Sequence, residues 1–226
     1  MSELIDTYWL YFLVGQYPQG PLGGLALTLL LAVLGIALAL PGGILLGLAR
    51  TSPWAALRLP VTGLVWVIRG TPLLMVVFWA YFFLPSLTGR KSDQFTTMLI
   101  ALVVFDSAYI AEIVRAGLQG LPRGQLHAAR ALGLSYLQAL RWILLPQALR
   151  HMLPSLVNQF VATIKHTSLG TIIGLSELSF IANQINIQVL VKPVEVYATL
   201  AFSYFVLCFG LSQLARHLER RLAVRP

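Results

Sequence analysis

Residues 22–48 form a run of 27 without one charged side chain. At about 1.5 Å per residue, a helix of that length exceeds the roughly 30 Å hydrocarbon layer of a bilayer. Such a run has few ways to fold. In lipid every backbone polar group must be satisfied within the segment, so the run is expected to cross a membrane as a helix. Composition agrees: 58% of the 226 residues are hydrophobic and 11% charged, which is more apolar surface than a soluble domain of this size needs. Pro41-Gly42-Gly43 is expected to bend this span near one end.

Four further stretches qualify. Residues 61–84 are interrupted at Arg69-Gly70-Thr71-Pro72, where proline removes a donor and glycine weakens the helix beside it. Residues 98–115, 152–175 and 196–214 supply the others. The expected fold class is therefore all-α and integral to the membrane, with five transmembrane helices. Residues 1–19 carry Tyr8, Trp9, Tyr11 and Phe12 and are too short to span, so they read as an interfacial N-terminal segment. Residues 20–226 form the transmembrane domain, and residues 176–194 a surface helix and turn within it. There is no convincing internal repeat and no linker for a second domain.

Charge sets the orientation. Arg50, Arg58, Arg115, Arg123, Arg130, Arg141, Arg150, Arg216, Arg220, Arg221 and Arg225 fall on one side of the five spans. The other side receives Arg90, Lys91 and Lys192, and Arg69 and Lys165 lie within spans. The arginine-rich side is expected to be cytoplasmic, with the N-terminus outside and the C-terminus inside. A net charge of +8 is thus accounted for by basic loops, and no nucleic-acid partner is indicated. Cys208 is the only cysteine, and His127, His151, His166 and His217 lack a zinc-ligand spacing. No glycine-rich phosphate loop is present, so the chain is not expected to hydrolyse ATP or act as an enzyme.

One basic loop, about residues 122–147, differs from its surroundings. Residues 126–132 favour helix, and Gly133 suits a helix end that needs positive φ. Ser135 with Gln138 makes a capping box opening a second helix, which Pro146 ends or kinks. Ala128, Ala129 and Gly133 leave one surface nearly bare of side chain, suited to a partner's groove. An ordinary cytoplasmic loop is the plainer reading.

Ionisable groups within a bilayer are functional candidates by default. Asn158, His166, Thr167 and Ser168 lie where a helix broken near the midplane would offer N–H and hydroxyl donors to a carboxylate. The alternative is a polar patch joining helices or subunits. Thr71 belongs to the break in the second span, as pathway, hinge or structural kink. Glu112 is expected to pair with Arg115 or Arg69, and counts as a pathway candidate as well.

These residues carry a resemblance. Ala128, Ala129, Gly133, Ile143, Leu145 and Pro146 resemble the EAA loop of ABC-transporter permease subunits, with His127 at the position of the motif's Glu. The chain from about Leu22 onward is similar to the polar amino-acid branch of that family, which imports histidine, glutamate, glutamine, arginine and opines. Lys165-His166-Thr167-Ser168 resembles the family's K-D-T-S segment with His166 replacing Asp. Tyr109, Ala111, Glu112, Arg115 and Gly117 match Y-x-A-E-x-x-R-x-G, and Arg69 to Pro72 match RGTP.

The resemblance implies a type I ABC importer permease in a bacterial plasma membrane. His127, Ala128, Ala129, Ala131, Leu132 and Gly133 would form a coupling helix docked on one of two ATP-binding subunits. Those subunits would hold ATP and Mg, so this chain binds no cofactor. A second permease chain, identical or sister, and an extracytoplasmic amino-acid-binding protein are the other implied partners, besides membrane lipid. With Asp absent at 166, a neutral or acidic amino acid is expected. The rival reading is a self-sufficient ion-coupled secondary transporter, which would need inverted repeats and a pathway carboxylate such as Glu112.

Overall fold

The computed structural model describes residues 2–89, 93–190 and 192–222, which are helical apart from short connections. Arg90, Lys91 and Arg225 of the charge argument lie outside the described residues. In chain order the helices are α1 (Ser2–Val14), α2 (Gly24–Thr51), α3 (Ala55–Gly70), α4 (Leu73–Phe78), α5 (Leu84–Thr88), α6 (Gln94–Gln119), α7 (Arg123–Ala131), α8 (Tyr136–Ala139), α9 (Leu145–His166), α10 (Leu178–Val189) and α11 (Pro193–Leu222). Two π-helical turns, Trp79–Phe83 and Leu140–Leu144, continue α4 into α5 and α8 into α9. A 3₁₀ stretch, Thr167–Ile173, follows α9.

The α2–α6 pair is the centre of the fold. α2 runs without interruption through Pro41, and its apolar length exceeds what a bilayer needs. α6 opens on Asp93, whose carboxylate accepts the Thr96 N–H at 2.8 Å and satisfies one orphan donor of the first turn. The two helices meet through small residues, because Gly43 faces Ile110 and Gly47 faces Val114 with no room for a Cβ. α9 packs against both α6 and α2, and α11 lies against α9. One apolar cluster, built on Leu31, Val77, Met98 and Leu102, fills the space between α2, α4 and α6. A second, built on Ile110, Val114, Ala148 and Met152, joins α6 to α9.

Among the described residues, three helices are long and apolar enough to cross a membrane: α2, α6 and Pro193–His217 of α11. A fourth span exists if α3 and Leu73–Leu87 count as one, but the chain bends by 99° between them. The break expected at Arg69-Gly70-Thr71-Pro72 is therefore a corner. α3 buries Val65 alone and leaves Leu59, Trp66 and Val67 exposed, as an amphipathic helix does. The expected fourth span, 152–175, is divided: residues up to His166 belong to α9, Thr167–Ile173 form the 3₁₀ stretch, and α9 is not among the helices apolar enough to cross.

The N-terminal segment is a helix, α1, which packs Phe12 with Leu178, Ile181 and Ile185 of α10 and Val196 of α11. The junction beneath it is polar and enclosed. Glu177, fully buried, caps α10 by accepting the N–H groups of Ser179 and Phe180, each at 2.9 Å, and the Tyr204 hydroxyl at 3.1 Å. Thr28 accepts the Leu178 N–H at 3.1 Å, tying α2 to the same point. α10 was read as a surface helix; its inner face is core.

Burial raises the Glu177 carboxyl from its ordinary 4.5 to about 7. The folded state then holds this proton more tightly than the unfolded chain. The resulting stability is fully present below pH 4.5 and is lost as pH rises through 7. The expected size is up to about 3 kcal/mol. Thermal unfolding of the solubilised protein between pH 5 and 8 measures it, and Glu177→Gln is expected to flatten the dependence.

Candidate functional site

The distinctive loop folds as its residues dictate. α7 closes at Gly133, whose φ is +84°, a conformation that favours glycine. The Leu134 N–H reaches the Ala129 carbonyl at 3.2 Å and the Gly133 N–H the Arg130 carbonyl at 3.0 Å, the bond pair of a Schellman close. Two residues on, both halves of the capping box are formed. The Gln138 N–H donates to Ser135 Oγ at 3.3 Å, and the Ser135 N–H to Gln138 Oε1 at 2.8 Å. The Tyr136 hydroxyl then donates to the Thr51 carbonyl at 3.3 Å, fixing the turn against the end of α2.

His127, Ala128, Ala131, Leu132 and Gly133 are exposed, Leu132 by 81%. Ala129 is not, at 1% exposure. The bare surface expected from Ala128, Ala129 and Gly133 is corrected accordingly: Ala129 faces the chain's own packing, and Leu132 projects beside the other two. Nor does Pro146 end the second helix. It occupies the first turn of α9, where its missing N–H costs little, and the π turn ahead of it absorbs the change of register.

Within the body, the structure assembles a buried polar site around Asp106. This carboxylate is fully buried on α6 and accepts from Gln159 Nε2 at 2.9 Å and Thr163 Oγ1 at 2.7 Å. His166 Nδ1 lies 3.7 Å from it, and the imidazole packs edge-on to Phe105 with centroids 5.5 Å apart. His166 is partly exposed, so one side of the ring addresses Asp106 while the other remains reachable.

Thr167 is fully buried with its hydroxyl on the Ile164 carbonyl, and Ser168 donates to the Lys165 carbonyl at 2.6 Å. Both hydroxyls donate to carbonyls three residues back in the chain. Asn158 is turned away: it is exposed and borders a small cleft with Val157, Ser212 and Arg216 towards α11. The structure thus brings His166 to Asp106, Gln159 and Thr163, and separates Asn158 from them.

A second cluster lies one to two turns further along α6. Glu112 receives Arg50 at 2.5 Å, Arg115 at 2.5 Å and Arg69 at 3.3 Å. Arg115 and Arg69 were expected partners; Arg50 was read as a loop flank and is instead buried, with a side chain 3% exposed. Arg69 also stands over the Tyr109 ring, 5.2 Å from its centroid. Thr71 caps α3, its hydroxyl donating to the Val67 carbonyl at 2.8 Å. Beside this cluster a cleft of about 440 Å³ opens between α6 and α9, bordered by Arg69, Glu112, His151, Ser155 and Gln159. Gln159 links the two clusters, since it lines the cleft and holds Asp106.

Asp106 and Gln159 stand in the expected spans without a site role in the sequence reading, Arg50 stands in a loop, and Thr163 is a partner that the sequence did not single out. A carboxylate and an amide in apolar sequence were the available signals; their pairing across 53 positions was not.

Residues 39–224 match the family described as "Binding-protein-dependent transport system inner membrane component". The chain is 38% identical over 214 residues to the probable glutamine ABC transporter permease protein GlnP of Bacillus subtilis, covering 92% of this chain and 98% of that one. It is 39% identical over 223 residues to the inner membrane amino-acid ABC transporter permease protein YhdY of Escherichia coli, but spans only 61% of that protein's length. Among solved structures, an amino acid ABC transporter with histidines superposes with a TM-score of 0.82 at 36% identity, covering 88% of this chain and 92% of that one. With the helical fold, the membrane spans and the family match in agreement, the chain belongs to the inner-membrane components of binding-protein-dependent transport systems.

Proposed function

We propose that this chain is the transmembrane subunit of an ATP-driven importer of polar amino acids, with a neutral or acidic substrate. The observation that carries the proposal is the continuity between the exposed end of α7 and the Asp106 site. Beyond the capping box at Ser135, α8, the π turn and α9 form one uninterrupted helix that ends at His166. A partner that moves His127, Ala128, Ala131, Leu132 and Gly133 moves that helix as a body. Access to a site near His166 then alternates between the two sides. Ala129 serves this docking from within, by packing the helix that carries the surface.

The partners in this reading are a pair of ATP-binding subunits, which hold ATP and Mg, a second permease chain, and an extracytoplasmic amino-acid-binding protein. The names of the relatives, an amino-acid permease and a glutamine permease, support the substrate class. The arginine-rich side is cytoplasmic, so the N-terminus is outside and α7 inside. α1, with Trp9 and Leu10 each 52% exposed, lies at the outer interface.

Mild cross-linking in native membranes, followed by affinity capture of this chain, tests the coupling role. An ATP-binding subunit is expected in the wild-type capture and is expected to be lost when Ala128 and Leu132 are both replaced by tryptophan. These side chains are exposed, so the variant keeps its fold. Wild-type capture without an ATPase would overturn the reading and leave an ion-coupled transporter to be tested.

His166 is proposed to set the substrate's charge. An imidazole beside Asp106 offers a donor to a carboxylate or amide. Aspartate in its place would put two carboxylates together and draw a cationic side chain. His166→Asp is therefore expected to shift competition for uptake from glutamine or glutamate towards arginine or lysine by about tenfold or more, from one charged contact of roughly 1.5–3 kcal/mol. An unchanged competition profile would remove His166 from the specificity site.

A further inference from the structure

The corner between α2 and α3 and the short helix α8 enclose a groove of about 640 Å³. Leu45, Leu48, Trp54, Leu57, Leu137 and Leu140 form its walls, with little polar surface besides two serines at its margin. Trp54 is 74% exposed and Leu137 73%, an apolar face that soluble surroundings would not tolerate. The groove starts on the last turns of a membrane-length helix, at Leu45 and Leu48, and its apolar wall continues from that span.

Its rim is basic. Arg58 Nη1 donates to the carbonyl of Ser52, a groove residue, at 3.3 Å. Arg141 is exposed one residue beyond Leu140 and one turn beyond Leu137. No carboxylate opposes them from these segments, because the sequence has no Asp or Glu between Asp6 and Asp93 or between Glu112 and Glu177. An apolar trough entering the bilayer beneath two exposed guanidiniums fits an amphiphile with an anionic head.

We propose that the groove binds one anionic phospholipid, its acyl chain along Leu45, Leu48, Leu57 and Leu140 and its phosphate between Arg58 and Arg141. The site joins the α2–α3 corner to α8, directly beyond the capping box, where Tyr136 already bonds to the Thr51 carbonyl. A bound lipid fastens the segment through which α7 acts on the rest of the chain. The inference needs only the membrane placement of the chain, and stands whether or not an ATPase docks on α7.

Native mass spectrometry of the complex purified in mild detergent, with phosphatidylglycerol or phosphatidylcholine added, tests it. Wild type is expected to retain one phosphatidylglycerol per copy of this chain, in preference to phosphatidylcholine. R58Q and R141Q are each expected to reduce that preference about fivefold, near the effect of one basic residue at an anionic surface. R58K/R141K is expected to retain it, and L137D to abolish retention of phosphatidylglycerol. All three positions are exposed, so folding is not at stake. Equal retention of both lipids, or a preference unmoved by the arginine variants, would overturn the proposal. So would a photo-crosslinker at position 137 that labels protein and no lipid. ATPase capture by α7 would be untouched by any of these outcomes.

Discussion

Glu112→Leu is expected to lower the thermal unfolding midpoint of the solubilised protein by about 10 °C or more. Three guanidiniums converge on this carboxylate, and Arg50 among them is almost fully enclosed. A buried ion pair contributes little over an apolar replacement of both partners, but removing one partner strands the other at a cost of about 3–5 kcal/mol. Here it strands Arg50, whereas Arg69 and Arg115 are about a third exposed and keep Tyr109 and Gln119 as neighbours. Glu112→Gln keeps the shape and loses the charge, so an intermediate loss is expected. Arg50→Leu added to Glu112→Leu is expected to recover part of the stability, since the most deeply buried cation is then gone. A double variant no more stable than Glu112→Leu would show that Arg50 is not the cation at stake. Differential scanning fluorimetry on wild type, Glu112→Leu, Arg50→Leu and the double variant reads the cycle directly.

Gly43→Leu is expected to disrupt the α2–α6 pair and to reduce folded protein in the membrane several-fold. A Cβ at position 43 would lie 2.5 Å from Cβ and Cγ2 of Ile110 and 3.0 Å from the Ser107 carbonyl oxygen. Position 47 repeats the contact one turn on, where a Cβ would lie 2.6 Å from Val114. Close approach of this kind is how membrane helices gain packing without a hydrophobic drive between them. Inserting even a few carbons into such a contact typically costs about 1–3 kcal/mol. Gly63→Leu is the matched control, because nothing stands within 4 Å of a Cβ there. Size-exclusion profiles of the two variants are expected to differ, with Gly63→Leu eluting as wild type.

What could be read from the sequence was local. Ser135 and Gln138 are three residues apart, so their reciprocal bonds follow from spacing alone, and Gly133 signals its own positive φ. The break at Gly70 and Pro72 was legible for the same reason, although its angle was not. Charged partners within one helix, Glu112 and Arg115, were likewise in view. Arg50 was not, because it reaches Glu112 across 62 positions and only the packing of α2 on α6 brings them together. Asn158 and Gln159 show the limit most plainly. Neighbours in sequence, they point about 100° apart on a helix, and the choice of the inward one belongs to Asp106 on another element. Ala129 was misread likewise: an alanine is small whether it faces a partner or its own core.

The π turn at Leu140–Leu144 has a mechanical consequence. Tyr136 to His166 is a continuous run of helix, a shaft of 31 residues, about 45 Å long, with no loop along it and with Pro154 removing one of its backbone donors. Under the proposed coupling, a displacement beside the capping box would be carried to His166 along this one helix. The extra residue in the π turn sets the shaft's angular phase, since each residue added or removed rotates everything beyond it by about 100°. Gln159 and Thr163 face Asp106 only at the present phase. A shaft cut one residue shorter between Leu140 and Leu144 would still turn, but it would present the wrong side of itself to the site.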